Sequence, residues 1–157
     1  MEEILSDNIK EFLKKQEFIN IATCDFENIP NVAPKFLLKI DNDYIFLADY
    51  VIGRTYRNLK INPRVSLSTV NTDTLTGYQI NGKVEIIEKG SEYKFLIEEF
   101  RNKQIQFSVT RIIEGVQKES KHGSFEASLP ERIAIFKIKV EEIVEIVSTG
   151  ELKRKRI

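Results

Sequence analysis

The chain of 157 residues has little reactive side-chain chemistry: one cysteine, one histidine, one methionine and no tryptophan. A single thiol, Cys24, excludes any disulfide within the chain. A zinc site assembled from Cys and His clusters has no ligands to draw on, and no metal site is expected. A Ser-His-Asp triad would have to use His122, in the polar stretch Ser120-Lys121-His122-Gly123-Ser124, where a solvated loop histidine is the simpler reading. Cys24 closes an apolar run, the setting of an inert thiol rather than a nucleophile. Lysine plus arginine and aspartate plus glutamate number 24 each, so the net charge is +0 and no global field recruits nucleic acid or an acidic membrane. No apolar run is long enough to span a bilayer, and none follows a basic start as in a signal peptide. A cytoplasmic location is the expectation. The glycine-rich nucleotide signatures G-x-G-x-x-G and G-K-[ST] are also missing. An enzyme so equipped would take its difficult chemistry from a cofactor.

What is present reads as one mainly β (α+β) domain over residues 1–157, with 41% hydrophobic and 31% charged residues. Ile4, Leu5, Ile9, Phe12 and Leu13 recur at helical spacing. Strands are predicted at 18–24, 31–40 and 44–48, joined by polar turns. Pro34 marks an edge or bulge in the second. A short helix over 53–61 is stopped by Pro63. Strands follow at 64–70 and 77–88, the latter interrupted by Gly82, which implies a bulge or a close approach. Ser91 caps a predicted helix to about Lys103, a further helix is hinted at 109–116, and 118–130 is polar and expected to be mobile. A final strand covers 132–147; its alternation changes phase between Ile135 and Phe136, so a bulge is expected there. About six strands and three helices without regular alternation favour an antiparallel barrel with helices outside. The basic end, Lys153-Arg154-Lys155-Arg156, reads as a solvated, disordered tail over 151–157; contact with nucleic acid or anionic lipid is the alternative.

Gly53-Arg54-Thr55 follows an apolar strand end and opens the short helix. A helix start carries unpaired N–H groups and the positive end of the dipole. Arg54 adds a planar cationic fork and Thr55 a hydroxyl, the equipment for a phosphate. A plain helix start with a surface arginine remains the alternative. Lys35 and Lys39, an even number of residues apart, are expected on one strand face. Either is a candidate for positive charge beside a bound ring, or an ordinary exposed lysine. Tyr50 and Tyr78 are candidates to stack on such a ring, or plain barrel aromatics.

The ordered set Ile21-Ala22-Thr23, Pro30 to Lys35, Ile45 to Asp49, Gly53-Arg54-Thr55, Asn58-Leu59, Asn62-Pro63-Arg64-Val65 and Gly77 to Glu85 resembles the pyridoxamine 5′-phosphate oxidase-like family of flavin-binding split-barrel proteins. The resemblance is best over 18–89 and weak over 90–130. It implies a six-stranded antiparallel Greek-key split barrel with peripheral helices, a homodimer, and FMN in a groove at the dimer interface. It implies that Arg54 and Thr55 hold the FMN phosphate. Lys35, Phe36, Leu37 and Leu38 would line the ring, facing Asp49 and Tyr50. Lys39 matches a family lysine near ring and substrate. Gly77 and Tyr78 would come from the fifth strand, possibly that of the partner chain. Pro34 and Thr55 stand where vitamin B6 oxidases carry cations, so the looser group of FMN-binding and flavin reductase-like members is the closer match. An FMN-dependent oxidoreductase with a small-molecule electron donor or acceptor is the leading reading. The deazaflavin F420 fits the same residues. Haem is less suited, since His122 alone offers an axial histidine. A non-enzymatic flavin carrier or a nucleic-acid-binding barrel are the remaining readings.

Overall fold

The computed structural model describes residues 3–117 and 131–157. In chain order the elements are α1 (Asp7–Lys14), β1 (Phe18–Cys24), β2 (Pro30–Asp41), β3 (Tyr44–Asp49), α2 (Arg54–Ile61), β4 (Arg64–Asn71), β5 (Thr76–Ile87), α3 (Gly90–Gln117), β6 (Ala134–Ile146) and β7 (Leu152–Arg156). The strands hydrogen-bond in the order β3-β2-β1-β4-β5-β6-β7, every pair antiparallel, and β3 also pairs with β6. That last pairing closes a six-stranded barrel, so the expected split-barrel architecture is found. No described helix is long and apolar enough to cross a membrane.

Two cores explain which residues form which strands. Inside the barrel lie Ile19 and Ile21 of β1, Leu37 of β2, Ile45 and Leu47 of β3, Leu67 of β4, Ile80 of β5, and Phe136 and Ile138 of β6. Leu13 of α1 and Leu59 of α2 join the same core. The second core lies between α3 and the outer face of β2, β3 and β6; it holds Phe36, Leu38, Phe46, Ala48, Ile135, Leu96, Ile97 and Phe100. Strands covered on both faces lose their alternation. This corrects the expected bulge between Ile135 and Phe136. There β6 pairs residue by residue with β3, from Tyr44↔Lys139 to Asp49↔Ala134. Ile135 points to α3 and Phe136 into the barrel, so adjacent buried residues need no irregularity.

The irregularity in β6 lies further on. The β5–β6 register shifts between Asn81 and Gly82, opposite Glu142 and Val140. A Cβ on Gly82 would stand 2.2 Å from the Lys139 carbonyl oxygen. Only glycine permits that approach, and both readings of Gly82, bulge and close contact, are realised.

Residues 90–117 form one continuous helix rather than two, with Gly115 inside it. The stretch 118–130, expected to be mobile, lies outside the described residues, as does His122. The basic end is corrected outright. Instead of a disordered tail it forms β7, paired with β6 from Ile146↔Leu152 to Glu142↔Arg156. Glu142 supplies the reason: Arg156 hydrogen-bonds it, and Arg154 lies 3.4 Å from the same oxygen. These cations hold the Glu142 carboxyl below the ordinary carboxylate range, the Arg156 bond most of all. Lys155 Nζ donates to the Glu3 carbonyl at 2.9 Å. Most of the basic strip is therefore engaged within the chain.

Candidate functional site

The chain leaves β3 at Asp49 and enters α2 at Arg54 with only a short connection. Gly53 takes the N-cap position (φ −142°, ψ −139°) and brings no side chain to cap the helix. The N–H groups of the first turn are thus left without a side-chain acceptor, and the positive end of the dipole is uncovered. Thr55 turns inward and is 2% exposed. Its Oγ1 accepts from Asn31 Nδ2 at 2.9 Å, which leaves the hydroxyl proton to give. One turn later Asn58 Nδ2 donates to Thr23 Oγ1 at 3.1 Å. These two bonds fix α2 across the end of β1 and the start of β2.

Arg54 is exposed, and no described residue pairs with it. Arg57, one turn on, is in the same condition. The opposite flank of α2 differs. Lys60 Nζ donates to Glu88 at 2.8 Å and Tyr56 Oη to the same carboxylate at 2.7 Å. These bonds, Lys60 first, hold the Glu88 carboxyl below its ordinary range. Arg54 and Arg57 are therefore uncompensated by any described residue, while Lys60 is neutralised by Glu88.

Beside Arg54 and Thr55 runs an open sheet edge. β3 pairs with β2 only from Phe36 onward, so residues 30–35 have a neighbour on one side alone, β1. Leu37 N bonds the Glu17 carbonyl at 2.9 Å. By the antiparallel alternation, odd-numbered residues of β2 bond to β1, and Val32 and Pro34 turn their backbone groups to the open edge. Pro34 is tolerated there because its missing N–H faces no strand. The edge expected from this proline is found.

The inner end of that edge is a buried ion pair. Lys35 Nζ lies 2.6 Å from Asp49 Oδ1, with side-chain exposures of 8% and 0%. Asp49 Oδ1 also accepts from Val51 N at 3.3 Å. Asp49 Oδ2 is buried and has no hydrogen-bond partner among the described residues. Next to it Tyr50 is half-buried, its ring 6.0 Å from that of Phe100. Burial, and then the Glu17 carboxylate, push the Tyr50 phenol above its ordinary value. It stays a neutral donor at physiological pH.

The structure thus brings Lys35, Asp49, Tyr50, Arg54 and Thr55 to one end of the barrel, together with Asn31. Asn31 has no role in the sequence reading; nothing in its spacing announces a contact across 24 residues. Arg57 was findable from helical spacing to Arg54. The other candidates lie elsewhere. Lys39 does not share a face with Lys35. The β2–β3 register shifts between Leu37 and Lys39, so the alternation slips by one. Lys39 lies on the α3 side, 3.6 Å from Glu99 and over the rings of Phe46 and Phe95. Phe36 and Leu38 are sealed beneath α3, and Leu37 is in the barrel core, so none offers a side chain to a ligand.

Gly77 and Tyr78 are on β5, near the start of β1 rather than its end. Tyr78 points inward, edge-on to Phe12 at 4.8 Å, with Oη 3.4 Å from Glu145. Its side chain is a core aromatic and does not present a face for stacking. The backbone of Gly77 and Tyr78 borders a groove of about 630 Å³, with Phe18, Asn20, Ser68 and Gln79. A second concavity of about 640 Å³ lies by Gly82, Glu142 and Arg156. Neither reaches Arg54 or Thr55. The cation set and the open edge, rather than either concavity, mark the candidate site.

Residues 5–146 match the sequence model of the pyridoxamine 5′-phosphate oxidase family. An uncharacterized protein, MJ0282 of Methanocaldococcus jannaschii, is 32% identical over 88 residues, 54% of this chain and 58% of that one. The heme oxygenase HutZ of Vibrio cholerae is 33% identical over 70 residues, 45% of this chain and 39% of that one. The chain thus spans about half the length of the curated relatives it matches, 58% and 39%. HupZ of Group A Streptococcus superimposes with a TM-score of 0.65 at 21% identity, covering 96% of this chain and 99% of that one. A pyridoxamine 5′-phosphate oxidase-related, FMN-binding protein of Nostoc punctiforme gives 0.56 at 9% identity, covering 94% and 91%. An F420 reductase gives 0.54 at 17%, covering 85% and 94%. At these identities the structural likenesses show the fold alone.

Proposed function

This chain belongs to the pyridoxamine 5′-phosphate oxidase family, and from that membership we propose that it is an FMN-binding, flavin-dependent oxidoreductase working as a homodimer. The observation that carries the reading is the pair Arg54 and Thr55 at the uncapped start of α2, beside the open edge of β2. Unpaired cation, hydroxyl donor and free backbone N–H groups are what a phosphate monoester needs. That end of the site fits FMN. The stretch Phe36 to Leu38 does not fit as a ring platform, because both its faces are packed. The open edge at Val32 to Lys35 takes that place, where exposed backbone would face the ring's polar rim. Lys35 would stand near it already paired to Asp49, and so would contribute an oriented dipole more than a net charge.

When bound, FMN would supply hydride acceptance and delivery. The chain's own residues would bind the phosphate, orient the ring and exclude water. The homodimer in this reading is supported by where the two residue sets lie. Arg54 and Thr55 lie by Thr23 at one end of β1, whereas Gly77 and Tyr78 border Phe18 and Asn20 at the other. A single ligand touching both sets would have to be shared by two chains.

The test is spectroscopic. The purified protein, or protein titrated with FMN, should show flavin absorption and quench FMN fluorescence. Riboflavin, which lacks the phosphate, should bind far more weakly. NADH or NADPH should bleach the bound flavin under anaerobic conditions. Absence of any FMN binding at micromolar concentrations sinks the proposal. The same spectrum tests a second reading, haem, which the stretch of identity to HutZ favours; a Soret band would identify it. Among the described residues no histidine is available as an axial ligand, since His122 lies outside them. F420 would use the same phosphate residues, and mass spectrometry of the released ligand separates it from FMN.

A further inference from the structure

Arg64 of β4, Lys83 of β5 and Lys139 of β6 stand directly opposite one another on three adjacent strands. They share the outer face of the sheet. Their neighbours Val65, Ile138 and Val140 lie in the barrel core, while all three cations are exposed. Side chains so opposed are about 5 Å apart at Cβ, and like charges in that position destabilise a sheet. The acids of this face do not remove the conflict. Glu141 lies 3.4 Å from Lys83. Glu142 is engaged by Arg156, by Arg154 and by Asn81 Nδ2. Glu85, the next acid along β5, stands opposite Lys137. No described side chain pairs with Arg64 or Lys139. Both line the concavity of about 640 Å³ beside the β5–β6 bulge, together with Arg156, Glu141 and Glu142.

We propose that this row of cations is a binding site for linked phosphate groups, as carried by an inorganic oligophosphate or a nucleoside triphosphate. The row spans two strand spacings, roughly 10 Å, which is more than one phosphate monoester covers. A chain of phosphates engages all three cations together and replaces their mutual repulsion by charge-assisted hydrogen bonds. Arg64 offers a planar donor fork and the two lysines offer compact charges, both suited to phosphate oxygens. Among the described residues no aromatic side chain lines the concavity, so the stacking surface that single-stranded nucleic acid uses is missing. Arg54 and Thr55 do not line it either, and the inference is independent of the flavin reading.

The test is isothermal titration of the full chain with inorganic tripolyphosphate in magnesium-free buffer of low ionic strength. Saturable one-to-one binding is expected, at least about tenfold tighter than that of inorganic phosphate, the worth of one added charged hydrogen bond. Lys139→Ser and Arg64→Ser should each weaken it by about tenfold or more. Lys94→Ser, which removes an exposed cation of α3, should change it by less than about twofold, because charge at that distance is screened. Since the row repels itself, the Arg64→Ser, Lys139→Ser double variant should melt no lower than the wild type, which separates lost binding from lost folding. Tripolyphosphate should raise the Tm of the wild type and not that of the double variant. ATP distinguishes the sources: tighter binding than tripolyphosphate assigns the site to a nucleotide, and equal or weaker binding assigns it to the bare phosphate chain. Binding should persist in excess FMN. No binding, an affinity no better than for phosphate, equal losses in Lys139→Ser and Lys94→Ser, or displacement by FMN overturns the inference. Tighter binding of single-stranded oligothymidylate than of tripolyphosphate overturns it in favour of nucleic acid. Failure to bind FMN bears on the flavin reading alone.

Discussion

The buried Lys35–Asp49 pair allows a sharp test of what this end of the barrel is for. The 2.6 Å contact joins a fully buried carboxylate to an ammonium with 8% side-chain exposure. Removing one partner of a buried pair leaves the other charge uncompensated and costs about 3–5 kcal/mol. The two single changes should not be equal. Lys35→Met strands Asp49, which is 0% exposed and keeps only the Val51 N–H at 3.3 Å. Asp49→Leu strands Lys35, which sits on the open strand edge and has a flexible stem that can carry its ammonium toward water. Lys35→Met should therefore fall in the upper part of that range and Asp49→Leu near its lower end. The double variant replaces the pair by apolar groups, removes the orphaned Asp49 Oδ2, and should lie within about 1 kcal/mol of the wild type. Urea melts with an unchanged m value would read these differences directly. A cost of 3–5 kcal/mol corresponds to a drop in Tm of about 6–20 °C for a domain this size. If Lys35→Met costs under about 1 kcal/mol, or the double variant loses the sum of the two singles, the pair is not a coupled buried unit. FMN binding by a stable double variant would then separate structural from functional roles. Retained affinity makes the pair a structural support of the edge, and lost affinity makes it part of the site.

Four further outcomes are expected. Arg54→Ala should weaken FMN binding by about 1.5–3 kcal/mol, roughly 10- to 150-fold, and leave riboflavin binding unchanged; fluorescence titration checks both. Gly82→Ala should destabilise by at least about 1–3 kcal/mol in a urea melt, because its Cβ meets the Lys139 carbonyl at 2.2 Å. Gly53→Ala, whose Cβ has nothing closer than 3.7 Å, should shift the same melt by only a few tenths of a kcal/mol. The Glu88 carboxyl is held below its ordinary 4.5, so its contribution to stability is present above that pH and disappears as pH falls through the folded-state value. Glu88→Gln should accordingly lower stability near neutrality and flatten the acid side of a Tm-against-pH profile.

Much of the architecture was legible locally. Pro34 announced the open edge because a residue without N–H cannot sit between two strands. Gly82 announced the bulge because a strand interior gains nothing else from glycine. Gly53-Arg54-Thr55 announced the start of a helix carrying a cation and a hydroxyl, since glycine, arginine and threonine are adjacent in the chain. Readings that relied on alternation failed where a second layer intervened. Ile135-Phe136 are buried residues in a strand covered on both faces, and period-2 reasoning assumes one covered face; Phe36-Leu37-Leu38, which the resemblance set along a bound ring, is buried on both faces as well. The tail's four basic residues read as solvated because Glu142, which holds two of them, is distant in sequence.

Sequence by itself determined the mainly β class and the position of the short helix opened by Gly53-Arg54-Thr55, and the resemblance of its ordered motifs determined the family and its split barrel. The class and the helix start rest on spacing and on neighbours within a few residues. Tertiary structure alone decided which candidates share a site. A one-residue slip in β2 sends Lys39 to α3 and leaves Lys35 with Asp49. The packing of Phe12 turns Tyr78 into core, and β1 separates the Gly77 backbone from Arg54 by its own length. The physical reason is common to all of them. A side chain's chemistry is local, but the face it occupies is set by register and by what packs against the sheet, and both are long-range.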